Sequence, residues 1–230
     1  MPDWETAAWP RAEHLSRVFH IRSGASCGTA FALDVGGRQY LVSAFHVVED
    51  SIKSCLVDIC FQNSWKPFVV NIVGFDPDAD IAVLALQERV LADGLPIDVG
   101  DAGCVAGQEV FILGFPLGIR GYLASPGFPI PLIKRGVAAL FNPGPPTSVY
   151  ISASANPGFS GGPVYFASRQ TGKATLMAVV SNEFTYEMPV KNSEGVVIGK
   201  VQQNSNIVEC SYISHALALI QASPIGLTIS

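Results

Sequence analysis

Residues 156–164 read Asn-Pro-Gly-Phe-Ser-Gly-Gly-Pro-Val. The glycines flanking Ser160 let the backbone turn sharply and bring amide N–H groups close to a reacting carbonyl. Ser160 is therefore a candidate nucleophile, with the amides of Gly158 and Ser160 supplying an oxyanion hole. A serine hydroxyl is a weak nucleophile at neutral pH, so this chemistry needs a histidine base and a carboxylate to orient that base.

Four histidines are available, at 14, 20, 46 and 215. His46 ends the run Tyr-Leu-Val-Ser-Ala-Phe-His, where an apolar strand meets a loop and a side chain can face a cleft. Asp80 leads into Ile-Ala-Val-Leu-Ala-Leu, and an aspartate entering a buried strand can hold an imidazole in one tautomer. The neighbouring Asp76 and Asp78 suit a turn or cap. In chain order the three residues are His46, Asp80 and Ser160, each at a strand–loop boundary. A neutral histidine base implies activity that rises with pH through an ordinary imidazole pKa, near 6 to 7.

The elements that must position them are short β-rich stretches between Gly, Pro, Asn and Asp punctuation. Strands are expected at 28–34, 39–44, 56–61, 68–75, 81–86, 109–113, 136–140, 149–153, 162–167 and 174–181, with Gly36-Gly37 as a hairpin turn. Ten strands without intervening helical periods mean an all-β sandwich or barrel pair. A turn is expected at 46–51. A terminal helix is expected at 212–222, with Ile213, Leu217 and Ile220 on one face and a stop at Ser223-Pro224. Residues 87–107 read as a linker between two barrels. Two long loops, 116–131 and 182–205, fall in the half that carries Ser160.

The chain has 230 residues, 49% of them apolar and 14% charged, which suits one large domain or two halves sharing a core. No apolar run approaches the roughly 18 residues of a spanning helix, so no membrane association is expected. Residues 1–22 carry Asp3, Glu5, Arg11, Glu13 and Arg17 and lack the apolar core of a secretory signal. Five cysteines cannot all pair, and together these features imply a cytoplasmic, reducing setting. Cys55 and Cys60 lack a second ligand pair, so no zinc site is expected there, and the serine-nucleophile chemistry calls for no metal or cofactor. The net charge of −5 argues against nucleic acid as a partner.

These motifs carry a resemblance. The chain resembles the trypsin-like serine proteases of the chymotrypsin fold, nearer to the bacterial HtrA/Deg protease domain than to the digestive enzymes. Gly28-Thr-Ala-Phe is similar to the family's first-barrel strand, Ser43-Ala-Phe-His to its histidine motif and Asp80-Ile-Ala-Val-Leu to its aspartate motif. Residues 107–118 resemble the opening of the second barrel, residues 156–163 the serine motif, and residues 178–181 the strand lining the substrate cleft. The resemblance implies two six-stranded antiparallel β-barrels, about 1–90 and about 105–210, followed by the helix at 212–222, all within a single domain over 1–230.

It also implies His46 as general base, Asp80 as its orienter and Ser160 as nucleophile of a serine endopeptidase acting through an acyl-enzyme. Ser181 would hydrogen-bond Asp80. The backbone of Ser181, Asn182 and Glu183 would pair with a protein or peptide substrate. Ser154 and Ala155 would lie near the floor of the primary specificity pocket. Ser154 gives no acidic floor, so a small or medium uncharged side chain is the expected preference, unless Glu183 or Glu209 intrudes. Phe159 stands where the family usually has Asn or Asp, and reads as a core anchor under the oxyanion loop. Cys27 resembles half of a disulfide of secreted members, but Val47 stands where its partner would be. No PDZ domain is expected after the helix.

Gly158-Phe-Ser-Gly-Gly162 also fits the nucleophile elbow of α/β-hydrolases, but Gly161-Gly162-Pro163 opposes the helix that the elbow requires. No aspartate follows Ser160 to serve as its acid. A different class stays open: a latent or inactive trypsin-like scaffold that binds, or is switched on by, a protein partner.

Overall fold

The computed structural model describes residues 9–90, 97–121 and 127–229. A short helix α1 (Ala12–Leu15) precedes β1 (Val18–Ser23), β2 (Ser26–Val35), β3 (Arg38–Ser43), helix α2 (Phe45–Ser54), β4 (Leu56–Phe61), β5 (Ser64–Asp76) and β6 (Ile81–Leu86). The second half comprises β7 (Asp98–Val99), β8 (Glu109–Gly114), a 3-10 turn (Pro116–Gly118), β9 (Leu132–Asn142), β10 (Ser148–Ser152), β11 (Pro163–Ala167), β12 (Ala174–Lys191) and β13 (Val197–Tyr212). Helix α3 (Ile213–Ala222) and β14 (Leu227–Thr228) complete it.

In the first half the antiparallel order β3-β2-β1-β4-β5-β6 closes on itself where β3 pairs with β6. In the second, β11-β8-β9-β10-β13-β12 closes where β11 pairs with β12. Each half is thus a ring of six strands, the chymotrypsin architecture. Two short strands are added outside the rings: β14 on β3, and β7 in parallel on β12.

The strands that read as unbroken apolar runs are those with both faces covered. Along β6, Ala82, Leu84 and Leu86 fill the first barrel, whereas Ile81, Val83 and Ala85 enter the seam between the barrels. β8 divides likewise, with Val110 and Ile112 inside the second barrel and Phe111 and Leu113 in the seam. Alternating apolar side chains therefore serve two cores, which is why no polar face interrupts them.

The seam is also clasped by the chain's outer segments. Trp9 packs on Phe111 at 4.9 Å, and His14 meets Tyr165 edge-on at 5.0 Å, so the N-terminal arm lies on the second barrel. From α3, Ile213, Ala216 and Ile220 enter the seam, and Leu219 touches Gly74 of the first barrel.

Three expectations need correction. Residues around His46 form a helix of ten residues rather than a turn, so His46 sits in the first turn of α2 and not at a strand end. Residues 182–205 do not form a loop: β12 runs on for eighteen residues and pairs with β13 as far as Lys191↔Val197, making a long hairpin. Neither face of its outer part is covered, so the burial contrast that marks a strand is missing. The expected linker contains β7, and its residues 91–96 lie outside the described set, as do residues 122–126 of the expected loop at 116–131.

Candidate active site

Asp80 has a left-handed backbone (φ 52), which aspartate tolerates better than most residues. This turns its carboxylate back onto the start of α2, whose first N–H groups lack helical partners. The Phe45 N–H donates to the Asp80 carbonyl at 3.1 Å, and the His46 N–H donates to Asp80 Oδ1 at 3.0 Å. Asp80 Oδ2 receives His46 Nδ1–H at 2.8 Å and the Ser181 hydroxyl at 2.8 Å. Because a carboxylate only accepts, His46 carries its proton on Nδ1 and leaves Nε2 free to take another. The same carboxylate therefore caps the helix and fixes the ring. The turn before it is made by Asp76, whose Oδ1 accepts the N–H groups of Asp78 and Ala79.

The hydrogen bond from His46 to Asp80 raises the imidazole pKa above its ordinary value, partial burial opposes this, and the carboxylate charge adds to the rise. The ring is half-exposed and faces a cleft of about 540 Å³ lined by Phe45, His46, Asp80, Ala155, Ser160 and Ser181, among others. Ser160 enters this cleft from the second barrel. Among the described residues its hydroxyl makes no hydrogen bond, to His46 or otherwise.

The loop carrying Ser160 is pinned from both barrels. The Thr29 N–H donates to the Ser160 carbonyl at 2.9 Å, and the Thr29 hydroxyl donates to the Gly158 carbonyl at 2.7 Å while accepting the Phe115 N–H at 3.1 Å. The Leu117 N–H donates to the Pro157 carbonyl at 2.8 Å, which turns the Gly158 N–H away from that side of the planar peptide. Among the described residues, neither the Gly158 nor the Ser160 N–H has an acceptor. Gly158 (φ +108) and Gly161 (φ +81) occupy backbone that excludes a side chain, and a Cβ at either would collide with the carbonyl of Phe115 or of Thr29. Phe159 is buried inside the second barrel beneath this loop.

Ala155, Ser181, Asn182 and Glu183 line the cleft. Ser154 lies outside its lining and accepts a hydrogen bond from Lys134 Nζ at 3.2 Å. Glu183 and Glu209 do line it. Burial raises the Glu183 pKa, against a hydrogen bond from Asn204 at 3.0 Å, and Asn204 also donates to the Ala155 carbonyl. Among the described residues no cluster of His, Cys, Asp and Glu has the makings of a metal site. The roles of Thr29, Leu117 and Asn204 are not legible in the sequence. Thr29 alone leaves a signal there, as a hydroxyl residue in an otherwise apolar strand next to Gly28.

The barrel pair and the His–Asp–Ser cleft between the barrels define a class, and comparison with known proteins assigns it. The family model of the trypsin-like peptidase domain matches residues 28–174, and the chain belongs to that family. It is 32% identical over 193 residues to Protease Do-like 1, chloroplastic, of Arabidopsis thaliana, a match covering 78% of this chain. The chain spans 40% of the length of that curated relative. Among solved structures it is similar to the HtrA-type protease AlgW with tripeptide (18% identity, TM-score 0.60, covering 90% of this chain and 60% of that one). It is also similar to an inactive serine-to-alanine form of Rv3671c from M. tuberculosis (19% identity, TM-score 0.56, covering 95% and 96%). The chain is thus a member of the trypsin-like peptidase family, similar in sequence and fold to HtrA-type proteases.

Proposed function

We propose that the chain is a serine endopeptidase acting by acyl transfer. The observation that carries this reading is the run of hydrogen bonds from Ser181 and His46 onto Asp80, both at 2.8 Å, facing Ser160 across one cleft beside two uncommitted amides. Ser160 Oγ attacks the scissile carbonyl while His46 Nε2 takes its proton. The Gly158 and Ser160 N–H groups hold the oxyanion. His46 then protonates the leaving amine as the C–N bond breaks, and water repeats the sequence to release the acid. Asp80 stabilises the imidazolium that forms twice in each turnover.

Ser181, Asn182 and Glu183 are assigned to backbone pairing with substrate, and Ala155 to the specificity pocket with Ser154 behind it. With two glutamates and no lysine or arginine among the described lining residues, the expected preference moves from uncharged side chains alone to neutral or basic ones, with Asp and Glu rejected. The five cysteines are unpaired, which supports a reducing, cytoplasmic location as part of the same proposal.

One observation favours a second reading, in which a partner protein switches the site on: the Ser160 hydroxyl is not engaged by His46 at rest. Catalytic hydrogen bonds often tighten only when substrate is present. Intact mass after fluorophosphonate treatment, with Ser160→Ala as control, separates the two. A single adduct on the unmodified chain supports an assembled site. Its absence from folded protein supports latency and refutes constitutive activity.

A further inference from the structure

β12 continues past the active site. Its residues 174–181 are buried in the second barrel, and beyond them the strand is almost wholly exposed. One edge pairs with β13 along the whole hairpin. On the other, β11 reaches only to Pro163 opposite Val179, and Val180 closes the pairing with Gly161 and Gly162. From Ser181 outward that edge meets no strand among the described residues. It is continuous with the stretch of Ser181, Asn182 and Glu183 assigned above to substrate.

Pro189 sets the phase of this edge. A proline within a paired strand directs its missing N–H away from the neighbour, so Pro189, opposite Lys200 of β13, presents its nitrogen to the free side. In an extended strand the N–H and C=O of one residue point the same way and alternate along the chain. Counting back by twos, Glu187, Thr185 and Glu183 present their amides and carbonyls to the free edge. The register irregularity here puts its extra residues on β13, whose partners step from Val208 to Asn204 while β12 advances only from Glu183 to Thr185. The alternation is therefore kept from Glu183 to Pro189. At Val180–Asn182 the extra residue lies on β12, which advances two residues as β13 steps from Cys210 to Glu209, and this moves the phase of the edge from Val180 to Glu183.

The side chains alternate too. Phe184, Tyr186 and Met188 share one face and are 36%, 50% and 40% exposed, with Val201 opposite Met188. The other face carries Thr185, Glu187 and Lys200, the last two paired at 2.6 Å.

We propose that this edge docks the acyl-side segment of the substrate as an added antiparallel strand, reaching the seventh residue before the scissile bond and ending at Pro189. The third, fifth and seventh residues pair with Glu183, Thr185 and Glu187 and point toward the polar face. The fourth and sixth lie over Phe184, Tyr186 and Met188 and are apolar. The substrate class is thus an extended polypeptide of alternating character. This rests on the peptidase reading for the position of the scissile bond.

The test uses the Ser160→Ala chain and labelled peptides with acyl-side arms of four, seven and ten residues, read by fluorescence anisotropy. Affinity rises about tenfold or more from four to seven and less than about twofold from seven to ten. N-methylation of the fifth residue's amide abolishes the gain, whereas N-methylation of the sixth leaves it. Tyr186→Ser combined with Met188→Ser brings the seven-to-four ratio down toward one for arms with apolar fourth and sixth residues. A flat length series overturns the proposal, and so does equal loss from both N-methyl positions. A flat series with concentration-dependent dimerisation points to a second copy on this edge and overturns it as well. Length-dependent binding without fluorophosphonate labelling or cleavage by the unmodified chain removes the peptidase reading but leaves the docking strand. Cleavage with a flat series does the reverse.

Discussion

Thr29→Val tests how the oxyanion loop is held. Thr29 is wholly buried, and valine matches its shape while deleting the hydroxyl. Two hydrogen bonds go: the 2.7 Å donation to the Gly158 carbonyl and the 3.1 Å acceptance of the Phe115 N–H. The Phe115 N–H is left buried without a partner, which costs about 1–3 kcal/mol, and the half-buried carbonyl adds less, so the stability loss is about 2–4 kcal/mol. The effect on catalysis is separable. The Leu117 contact still holds the Pro157 carbonyl, so the Gly158 N–H is loosened rather than lost. Complete loss of such a donor costs about 10²–10³ in kcat, and loosening is expected to cost about 10- to 100-fold. Because the oxyanion exists only in the transition state, KM should stay near its original value. Steady-state cleavage of a peptide ester well below Tm gives both constants, and fluorophosphonate labelling gives the rate of adduct formation independently. Thr29→Ser, which keeps the hydroxyl, should restore at least half of the lost kcat. A folded Thr29→Val chain with kcat within about twofold of the original refutes the reasoning.

Asp80→Asn leaves the carboxamide able to donate to the ring and so favours the wrong tautomer. kcat should fall about 10⁴-fold, the size of loss that a mis-set tautomer causes in a Ser-His-Asp triad, and near-full activity in a peptide assay would rule out its assigned role. Since Asp80 raises the His46 pKa and the neutral ring is the proposed base, kcat/KM should be low in acid and climb through a pKa above the ordinary value of about 6.5. A profile flat from pH 5 to 9 would contradict this. His20 is buried against Phe115 and Trp65 and receives Arg120 Nη1, and burial, then the guanidinium charge, pull its pKa down to about 4. The unfolded chain therefore binds a proton that the folded chain refuses as pH falls from about 6.5 to about 4, so about 3 kcal/mol of stability is lost across that window. Denaturant melts of His20→Phe at pH 7 and 4.5 should show a smaller acid loss, and an equal loss would acquit His20. Glu183→Gln should narrow the preference for a basic over an acidic residue beside the scissile bond, measured as a ratio of kcat/KM values, and an unchanged ratio would place specificity elsewhere.

The three residues proposed as a triad, His46, Asp80 and Ser160, are legible as candidates in the sequence because each sits in a motif whose backbone constraints show in residue type. Gly158 and Gly161 are glycines since no side chain fits there, and the Asp80-Ile-Ala run shows where a turn feeds a strand buried on both faces. What stays concealed depends on partners distant in the chain. The helix at His46 is started by backbone and carboxylate groups of Asp80, far along the chain, and Ala44 offers no side-chain cap to announce it. β1 escapes the pattern although it is nearly all buried, because His20 and Arg22 interrupt its apolar run. The outer hairpin escapes for the opposite reason. With both faces in solvent, its apolar residues fall among Glu, Lys, Asn and Gln and read as a loop.

The clasp of the seam by α3 and β14 has a consequence for the order of manufacture. Synthesis delivers the barrel bearing His46 and Asp80 first and the loop bearing Ser160 much later. The side chains that finish the seam, Ile213, Ala216 and Ile220, come later still, followed by the strand that pairs back onto β3. Domains generally fold as units in the order they emerge. A nascent chain thus carries the proposed base without the proposed nucleophile, and then both without the wedge that sets one barrel against the other. On the peptidase reading proposed above, the cutting edge is assembled last, and the chain is kept from attacking itself or its neighbours while it is being made.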